Sequence, residues 1–380
     1  MAISGRIGLV AKRGGEMTNY FLSAVPHLAW PSAPGPAASQ LRAVLQDIER
    51  IQWRSEQAIR TAQFGQLRVL ATHARTHTPY YRDLAWETPP TDEHEFWSWW
   101  GTLPVINRET LQRESERCFS EYVPKAHEPV QAVRTSGSTG RPVRSLATFV
   151  TGFMEYVLTL RSHVWHGWDM RGTLAAIRPD RAEADANHGI DAPTWGPPVD
   201  GVYDSGPSFL MDSRADIATQ LAWLAQRRPN YLLTMPSNLR GLLDEMVASG
   251  TELPDLRGIR AYSEVLSPEL RAYCRDITGI DVYDVYSSQE AGTLAIECPV
   301  SGHMHIQSEH ALIEVVDDDG QPCGPGDEGR LLITPLHNFA APLIRYEIFD
   351  RAIVAGPCPC GRGLPALERV LGRERNLLPL

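Results

Sequence analysis

The amino-acid sequence predicts an α/β protein with a mainly parallel sheet, followed by a smaller β subdomain. Short apolar runs typical of buried strands occur at 172–177, 231–234 and 280–286. Amphipathic, helix-like stretches occupy 217–227, 239–249 and 268–278. Strands that alternate with helices indicate a parallel sheet. Beyond this region, runs at 311–316 and 330–334 flank a turn rich in Gly, Pro and Asp, which predicts a hairpin and so a β subdomain.

The N-terminal part of the chain has a different pattern. Residues 1–36 show little periodicity and end in a Pro/Ala/Gly stretch, so we expect a loosely attached arm. Apolar residues then recur at helical spacing from 39 to 75, which predicts two amphipathic helices or one long broken helix. These patterns predict three parts: a helical N-terminal arm at 1–100, an α/β core at 101–310 and a β subdomain at 311–380.

Composition excludes several classes of protein. The 380 residues are 43% hydrophobic and 22% charged, which is ordinary for a globular protein and argues against disorder, a collagen-like fibre or a coiled coil. A net charge of −10 argues against nucleic-acid binding. The sequence has no apolar run of about 18 residues, so we expect no membrane span. Six cysteines are too few for a disulfide scaffold, and we expect a cytoplasmic, reduced protein.

The strongest motif is the segment from Arg134 to Pro142, which reads RTSGSTGRP. Its glycines and hydroxyl residues allow backbone N–H groups and side-chain hydroxyls to point inward together, as a polyphosphate requires. No Gly-Lys-Ser/Thr follows, so this is not the Walker pattern. The alternative is a Ser/Gly-rich surface turn.

Two weaker motifs follow. The segment 283–292 (YDVYSSQEAG) ends a predicted strand, where α/β proteins bind ligands. Its aromatic ring could stack on a base and its carboxylate could hold Mg²⁺, or they could be a core tyrosine and a solvated glutamate. The segment 344–350 (IRYEIFD) ends in Asp350, whose carboxylate could accept both ribose hydroxyls, and is followed by Leu371-Gly372-Arg373.

Together, in this order and spacing, the three motifs resemble the adenylate-forming (acyl/aryl-coenzyme A synthetase) superfamily, and within it the phenylacetate–coenzyme A ligase branch. The resemblance runs from about Thr78 to the C-terminus and includes 103–106 (LPVI), 228–231 (RPNY) and 263–265 (SEV). It implies the large N-terminal domain of that fold, with parallel-sheet α/β subdomains and a small β-barrel-like subdomain. It also implies an AMP-forming ligase that uses ATP and Mg²⁺ to convert a carboxylic acid to an acyl-adenylate, releasing pyrophosphate.

The resemblance assigns roles to individual residues. Tyr286, with Ser287 after it, would stack on adenine; Ser263 and Glu264 would line the adenine and acyl pocket; Glu290 would hold Mg²⁺; and Asp350 would bind the ribose. Arg373 would lie at the hinge near the ribose or phosphate, and catalysis would depend on Glu290, Thr139 and Arg373. The residues that would cradle the β- and γ-phosphates are Thr135, Ser136, Gly137, Ser138, Thr139, Gly140 and Arg141.

Cysteines and a histidine suggest a structural zinc site. Cys298 is followed by His303 and His305, and Cys358 and Cys360 form a Cys-Pro-Cys-Gly turn much later in the chain. Three cysteines and one histidine suit closed tetrahedral coordination. Some members of the ligase branch carry a similar set, and by position His305 matches the family's histidine better than His303. The alternative is a set of exposed cysteines beside a surface histidine pair.

The sequence departs from the family pattern at its end. Members continue past the Gly-Arg hinge into a small mobile domain that usually supplies a catalytic lysine. This sequence ends at Leu380 and has two lysines, Lys12 and Lys125. We therefore expect the small domain to be absent, and adenylation to use arginine or a partner protein that supplies the missing part. A homodimer is also possible by resemblance.

Substrate and acceptor follow from the resemblance only in outline. It favours an aromatic carboxylic acid, and 188–209 holds Trp195, Tyr203 and Phe209 as candidate pocket walls. The acceptor would be coenzyme A, a carrier protein or an amine. Two alternatives remain: a stand-alone adenylating domain that passes its product to another enzyme, and a catalytically impaired nucleotide-binding partner subunit.

Overall fold

The computed structural model of the chain describes residues 21–28, 30–134, 144–179 and 189–373. The α-helices in these residues are α1 (Pro36–Ile51), α2 (Glu56–His77), α3 (Pro79–Asp83), α4 (Glu93–Gly101), α5 (Arg108–Glu114), α6 (Phe149–Trp165), α7 (Ile217–Arg227), α8 (Pro236–Ser249) and α9 (Pro268–Thr278). The strands are β1 (Val130–Arg134), β2 (Arg144–Thr148), β3 (Leu174–Arg178), β4 (Ile190–Ala192), β5 (Ser208–Asp212), β6 (Tyr231–Thr234), β7 (Gly258–Ala261), β8 (Val282–Ser288), β9 (Gly292–Glu297), β10 (Met304–Ile306), β11 (Ala311–Val316), β12 (Glu328–Pro335), β13 (Tyr346–Val354) and β14 (Ala366–Arg373). The α/β fold class predicted from the sequence is confirmed.

One twelve-stranded sheet runs through the described part of the chain, in the order β11-β12-β13-β14-β10-β9-β8-β7-β6-β3-β5-β4. Strands β5, β3, β6, β7 and β8 are parallel neighbours, whereas β8 pairs with β9 antiparallel. Strand β8 therefore joins the parallel half of the sheet to the antiparallel half. The predicted hairpin after Ala311 is confirmed, because β11 and β12 pair antiparallel.

Local signals explain the helices of the parallel half. The Asp216 side chain accepts a hydrogen bond from the Thr219 N–H and caps α7. Ser267 caps α9 in the same way through the Leu270 N–H, and Gly279 ends that helix at φ +71°. These caps match the predicted starts of both helices.

Helices cover both faces of the parallel half. Leu232, Ile259 and Val282 point to one face and pack with residues of α7, α8 and α9. Tyr231 points to the other face and packs with residues of α1 and α6. Because both faces are buried, the central strands are continuous apolar runs rather than alternating ones.

A buried arginine connects the N-terminal helices to the core. Arg161 of α6 has no exposed side-chain surface, and its guanidinium donates to Glu49 of α1, to Gln307 and to Glu309. Helix α2 ends at His77 and α3 begins at Pro79. The domain boundaries at 100 and 310 stay predictions.

The helices of the described residues include none with the length and apolar character needed to cross a membrane.

Candidate active site

The candidate nucleotide site lies where β8, β13 and β14 come together. The hydroxyl of Tyr286, near the end of β8, donates a hydrogen bond to Asp350 Oδ2 at 2.6 Å. Asp350 on β13 lies directly opposite Arg373 on β14 in the antiparallel register. The structure therefore brings together three side chains that the motifs had assigned to the base, ribose and hinge.

The electrostatics of this group reflect its burial. Burial raises the pKa of Tyr286 well above its ordinary value, with Asp350 and Glu290 adding to the rise and Arg373 opposing it. Burial also raises the pKa of Asp350, and the hydrogen bond from Tyr286 opposes that rise. Tyr286 is therefore a neutral donor, and its hydrogen bond favours the ionised form of Asp350.

Glu290 lies in the turn between β8 and β9. Its side chain is 10% exposed, and its Oε1 lies 4.0 Å from Nη1 of Arg108. Burial raises the pKa of Tyr346. Glu290 and Asp350 raise it further, whereas Arg108 and Arg373 oppose the rise, so these four groups all lie near one tyrosine. The candidate Mg²⁺ ligand is thus part of the same site as the Tyr286–Asp350 pair.

Sequence reasoning did not single out Arg108. It begins α5, two residues after the 103–106 segment that contributed to the family resemblance. That segment reaches the site because Ile106 pairs with β13: the Ile106 N–H donates to the Arg345 carbonyl, and the Glu347 N–H donates to the Ile106 carbonyl. The position of Arg108 just after the 103–106 segment is the sequence signal that could have identified this residue.

The turn that carries Glu290 is fastened to α6. Glu155 accepts hydrogen bonds from the Thr293 N–H at 2.8 Å and from Thr293 Oγ1 at 3.0 Å. His310 Nε2 donates to the Ala291 carbonyl at 2.7 Å. Gly292, at φ +73°, allows this approach, since a Cβ there would lie 2.1 Å from a Glu155 carboxylate oxygen.

Three other predicted site residues, Glu264, Ser263 and Ser287, also lie in the described part of the chain. Glu264 accepts hydrogen bonds from the Ser237 N–H at 2.8 Å and from Ser237 Oγ at 2.9 Å, and so caps the first turn of α8 from outside the helix. Ser263 is exposed and has φ +68°. Ser287 is exposed at the end of β8 and lies opposite Thr293.

The predicted phosphate loop falls outside the described residues. This applies to Thr135, Ser136, Gly137, Ser138, Thr139, Gly140 and Arg141. The flanking strands β1 and β2 pair antiparallel, with Arg134 opposite Arg144, and α6 follows directly.

The candidate metal centre is a compact group of Cys298, His305, Cys358 and Cys360, whose ligand atoms all lie within 4.8 Å of one another. His305 Nε2 is 3.2 Å from Cys360 Sγ, and the Cys358 and Cys298 sulfurs are 3.8 Å apart. His305 Nδ1 lies 3.1 Å from the Leu364 carbonyl, a contact that would fix the ring and leave Nε2 for a metal. The described ligand group contains His305 and not His303.

The three candidate walls of the acyl pocket lie in different places. Trp195 belongs to a group of rings on the α6 face of the sheet, where it contacts Trp168 edge to face. Tyr203 stacks on Phe21 near the N-terminal end of the described chain. Phe209 packs on Trp223, in the core on the other face. Trp195 and Tyr203 therefore belong to the core on the α6 face, and Phe209 belongs to the core on the opposite face.

The chain is similar in sequence to known ligases. The chain matches no family model. It is 23% identical to the phenylacetate–coenzyme A ligase of Aromatoleum evansii over 342 residues, 87% of this chain and 74% of the relative. It is also 23% identical to the phenylacetate–coenzyme A ligase of Escherichia coli K12, over 87% of this chain and 75% of the relative.

Solved structures show the same fold. A 2-hydroxyisobutyryl-coenzyme A ligase in complex with 2-HIB-AMP and CoA matches with a TM-score of 0.64 at 18% identity, over 84% of this chain and 76% of that one. The same ligase with 2-HIB-AMP in the postadenylation state matches with a TM-score of 0.65 at 19% identity, over 84% and 69%. The chain is therefore a homologue of the phenylacetate–coenzyme A ligases and has the fold of the adenylate-forming acyl-coenzyme A ligases.

Proposed function

We propose that the protein uses ATP to activate a carboxylic acid as an acyl-adenylate and then transfers the acyl group to coenzyme A. A carboxylate oxygen attacks the α-phosphorus, and the bond from that phosphorus to the pyrophosphate oxygen breaks. The coenzyme A thiol then attacks the acyl carbon and AMP leaves. The observation that carries the proposal is the cluster of Tyr286, Asp350, Glu290 and Arg373 in a homologue of such ligases.

The side chains suit binding and charge neutralisation rather than acid–base chemistry. Ionised Asp350 accepts hydrogen bonds from the ribose hydroxyls, and the Tyr286 ring stacks on the base. Arg373 and Arg108 supply positive charge beside the nucleotide. Catalysis of this kind comes from positioning the acid and the α-phosphate and from stabilising the charge that develops between them.

Magnesium fits the carboxylate of Glu290. The side chain is 10% exposed, and among the described residues its ion pair is the 4.0 Å contact with Arg108, so an oxygen is available to a hard cation. Bound there, the ion would neutralise phosphate charge. The resemblance assigns the remaining phosphate contacts to the 135–141 loop.

A structural zinc ion fits the cysteine–histidine group. Three sulfurs and one nitrogen are the donor set of closed zinc sites, and such a site would tie the β9–β10 turn to the β13–β14 turn. Zinc analysis of the purified protein should give about one ion per chain, and Cys358→Ser should lose it and lower the melting temperature. Cys323→Ser is the matched control, because Cys323 is outside the group. Zinc-free wild-type protein of unchanged stability would refute the site.

The acid is expected to be aromatic, from the family resemblance. The test is pyrophosphate release from Mg-ATP with a panel of aryl, arylacetic and aliphatic acids. We expect release that depends on the acid and that Glu290→Gln abolishes, while the exposed control Glu252→Gln retains it. ATP binding without release for every acid would refute the enzyme and favour the nucleotide-binding partner subunit.

A further inference from the structure

The α6-facing side of the parallel sheet contains an arginine that has no counterion among the described residues. On β7, Ile259 and Ala261 pack into the core of α7–α9, so Arg260 between them points to the opposite face. In the register of the sheet, Arg260 lies between Leu233 of β6 and Tyr283 of β8. The guanidinium therefore lies over the middle of the parallel half of the sheet, and it is partly buried beneath α6.

Comparison with other inward-facing arginines shows how unusual this is. Arg161 contacts two carboxylates, Arg271 pairs with Glu297 at 2.6 Å, and Arg345 pairs with Glu314 at 3.3 Å. Arg260 has neither a carboxylate nor a hydrogen-bond acceptor in the described part of the chain. Its one charged neighbour there is another cation, Arg178. Burial lowers the pKa of Arg260 to about 10, with Arg178 adding to the effect.

A second unpartnered polar group lies near this guanidinium. The His163 side chain is 96% buried (4% exposed), and its Nδ1 has no hydrogen-bond partner among the described residues. Burial lowers the pKa of His163, and Arg260 lowers it further. His163 is therefore neutral. A partly buried guanidinium beside a buried imidazole, neither with a hydrogen-bond partner for these groups among the described residues, forms a site that an anion would complete.

Aromatic rings border this pair. The Arg260 Cζ lies 5.7 Å from the ring centroid of Trp168. Trp168 stacks on Tyr231 at 4.6 Å, and Trp195 packs edge to face against both rings. Trp195 is also one of the candidate acyl-pocket walls. These rings are buried, and they form an apolar boundary on one side of the pair.

The direction of β7 links the pair to the candidate nucleotide site. Tyr262 lies on the same face as Arg260, and Ser263 follows at the carboxyl end of the strand, where the acyl and adenine pocket is expected. Three residues of extended chain span about 10 Å, a distance that one aromatic ring with a carboxylate at each end can bridge.

We propose that Arg260, with His163, binds a second anionic group on the acid substrate, so that the substrate class is aromatic dicarboxylic acids. This inference rests on the proposed function. One carboxylate reacts with ATP at the carboxyl end of the sheet, and the other pairs with Arg260 at the inner end of the pocket. Arg260 is then a specificity-determining residue, because a neutral acid would leave its charge uncompensated.

The test compares acids of similar size with the full-length protein. Pyrophosphate release is measured with 4-carboxyphenylacetate, 4-methylphenylacetate and phenylacetate. We expect kcat/KM of the wild-type protein to be at least about tenfold higher for the diacid than for the methyl analogue. Arg260→Met should reverse this preference, and Arg260→Lys should restore part of it. Arg257→Met, at an exposed arginine three positions earlier, should leave the preference unchanged.

The outcomes separate this inference from the proposed function. A wild-type protein that prefers the neutral acids would refute the diacid assignment. An Arg260→Met variant that lowers kcat/KM equally for all three acids would refute it too. Neither result would contradict acid activation itself. Release with no acid of any class refutes the proposed function itself. If the Arg260 variants do not fold, the ratio of wild-type kcat/KM values for the diacid and the methyl analogue decides whether the substrate class is a diacid.

Discussion

Removing the hydrogen bond between Tyr286 and Asp350 should lower the stability of the free protein more than that of its nucleotide complex. Tyr286→Phe keeps the ring and removes the hydroxyl that lies 2.6 Å from the carboxylate. A hydrogen bond to a charged group contributes about 1.5–3 kcal/mol, and we take about 2 kcal/mol because both side chains are only partly buried. An unfolding entropy of about 2.1 cal/mol/K per residue, over 380 residues, converts this to a melting temperature about 2.5 °C lower.

AMP should reduce the difference in melting temperature between wild type and Tyr286→Phe. In the proposed complex the ribose hydroxyls donate hydrogen bonds to Asp350, so the carboxylate no longer depends on the Tyr286 hydroxyl alone. Thermal unfolding is measured with and without saturating AMP, and the gap between wild type and Tyr286→Phe should narrow in its presence. Tyr122→Phe is the control, because that side chain is 54% exposed, and it should leave the melting temperature unchanged. A Tyr286→Phe variant as stable as wild type, or a gap that AMP does not change, would refute this reasoning.

Three further predictions concern the core and the turn that carries Glu290. Arg161→Met leaves Glu49 and Glu309, whose side chains are 27% and 9% exposed, without their cation. It should cost about 3 kcal/mol, the low end for a broken buried ion pair, and so lower the melting temperature, whereas Arg50→Met, at an exposed ion pair, should change nothing measurable. Burial lowers the pKa of His337 from 6.5 to about 4, so the folded state stays neutral where the unfolded state binds a proton. The contribution of His337 to stability should fall as pH drops from about 6.5 to about 4, by about 2 kcal/mol at pH 5. His337→Gln should reduce the fall in melting temperature across that range without abolishing it, because burial lowers the pKa of His166 to about 4 as well. Glu155→Ala removes both acceptors of Thr293 and should lower kcat for pyrophosphate release about tenfold, with partial recovery in Glu155→Gln; an unchanged kcat would contradict the positioning role.

Local patterns predicted the elements of the parallel half well. Helix α7 spans the predicted range 217–227, and strand β6 spans 231–234. Both have strong local determinants: an aspartate cap for the helix, and a fully buried apolar run for the strand. The two predicted helices of the N-terminal part are also confirmed as α1 and α2.

Contacts between distant segments could not be predicted from such patterns. Arg108 reaches Glu290 because Ile106 pairs with β13, some 240 residues later in the sequence. Glu264 caps α8 across a gap of 27 residues, although its motif suggested the acyl pocket. Arg260 gave no sequence signal, because only the packing of the sheet shows that this arginine, in an apolar run, has no counterion among the described residues.

Oxygen transfer from the acid to AMP tests the central claim most directly. The acid that supports pyrophosphate release is labelled with ¹⁸O in its carboxylate, and the AMP formed with coenzyme A is analysed by mass spectrometry. Attack of the carboxylate on the α-phosphorus predicts one ¹⁸O in each AMP, because the acceptor later attacks the acyl carbon and the bridging oxygen stays with phosphorus. Unlabelled AMP, or label in pyrophosphate, would contradict the account.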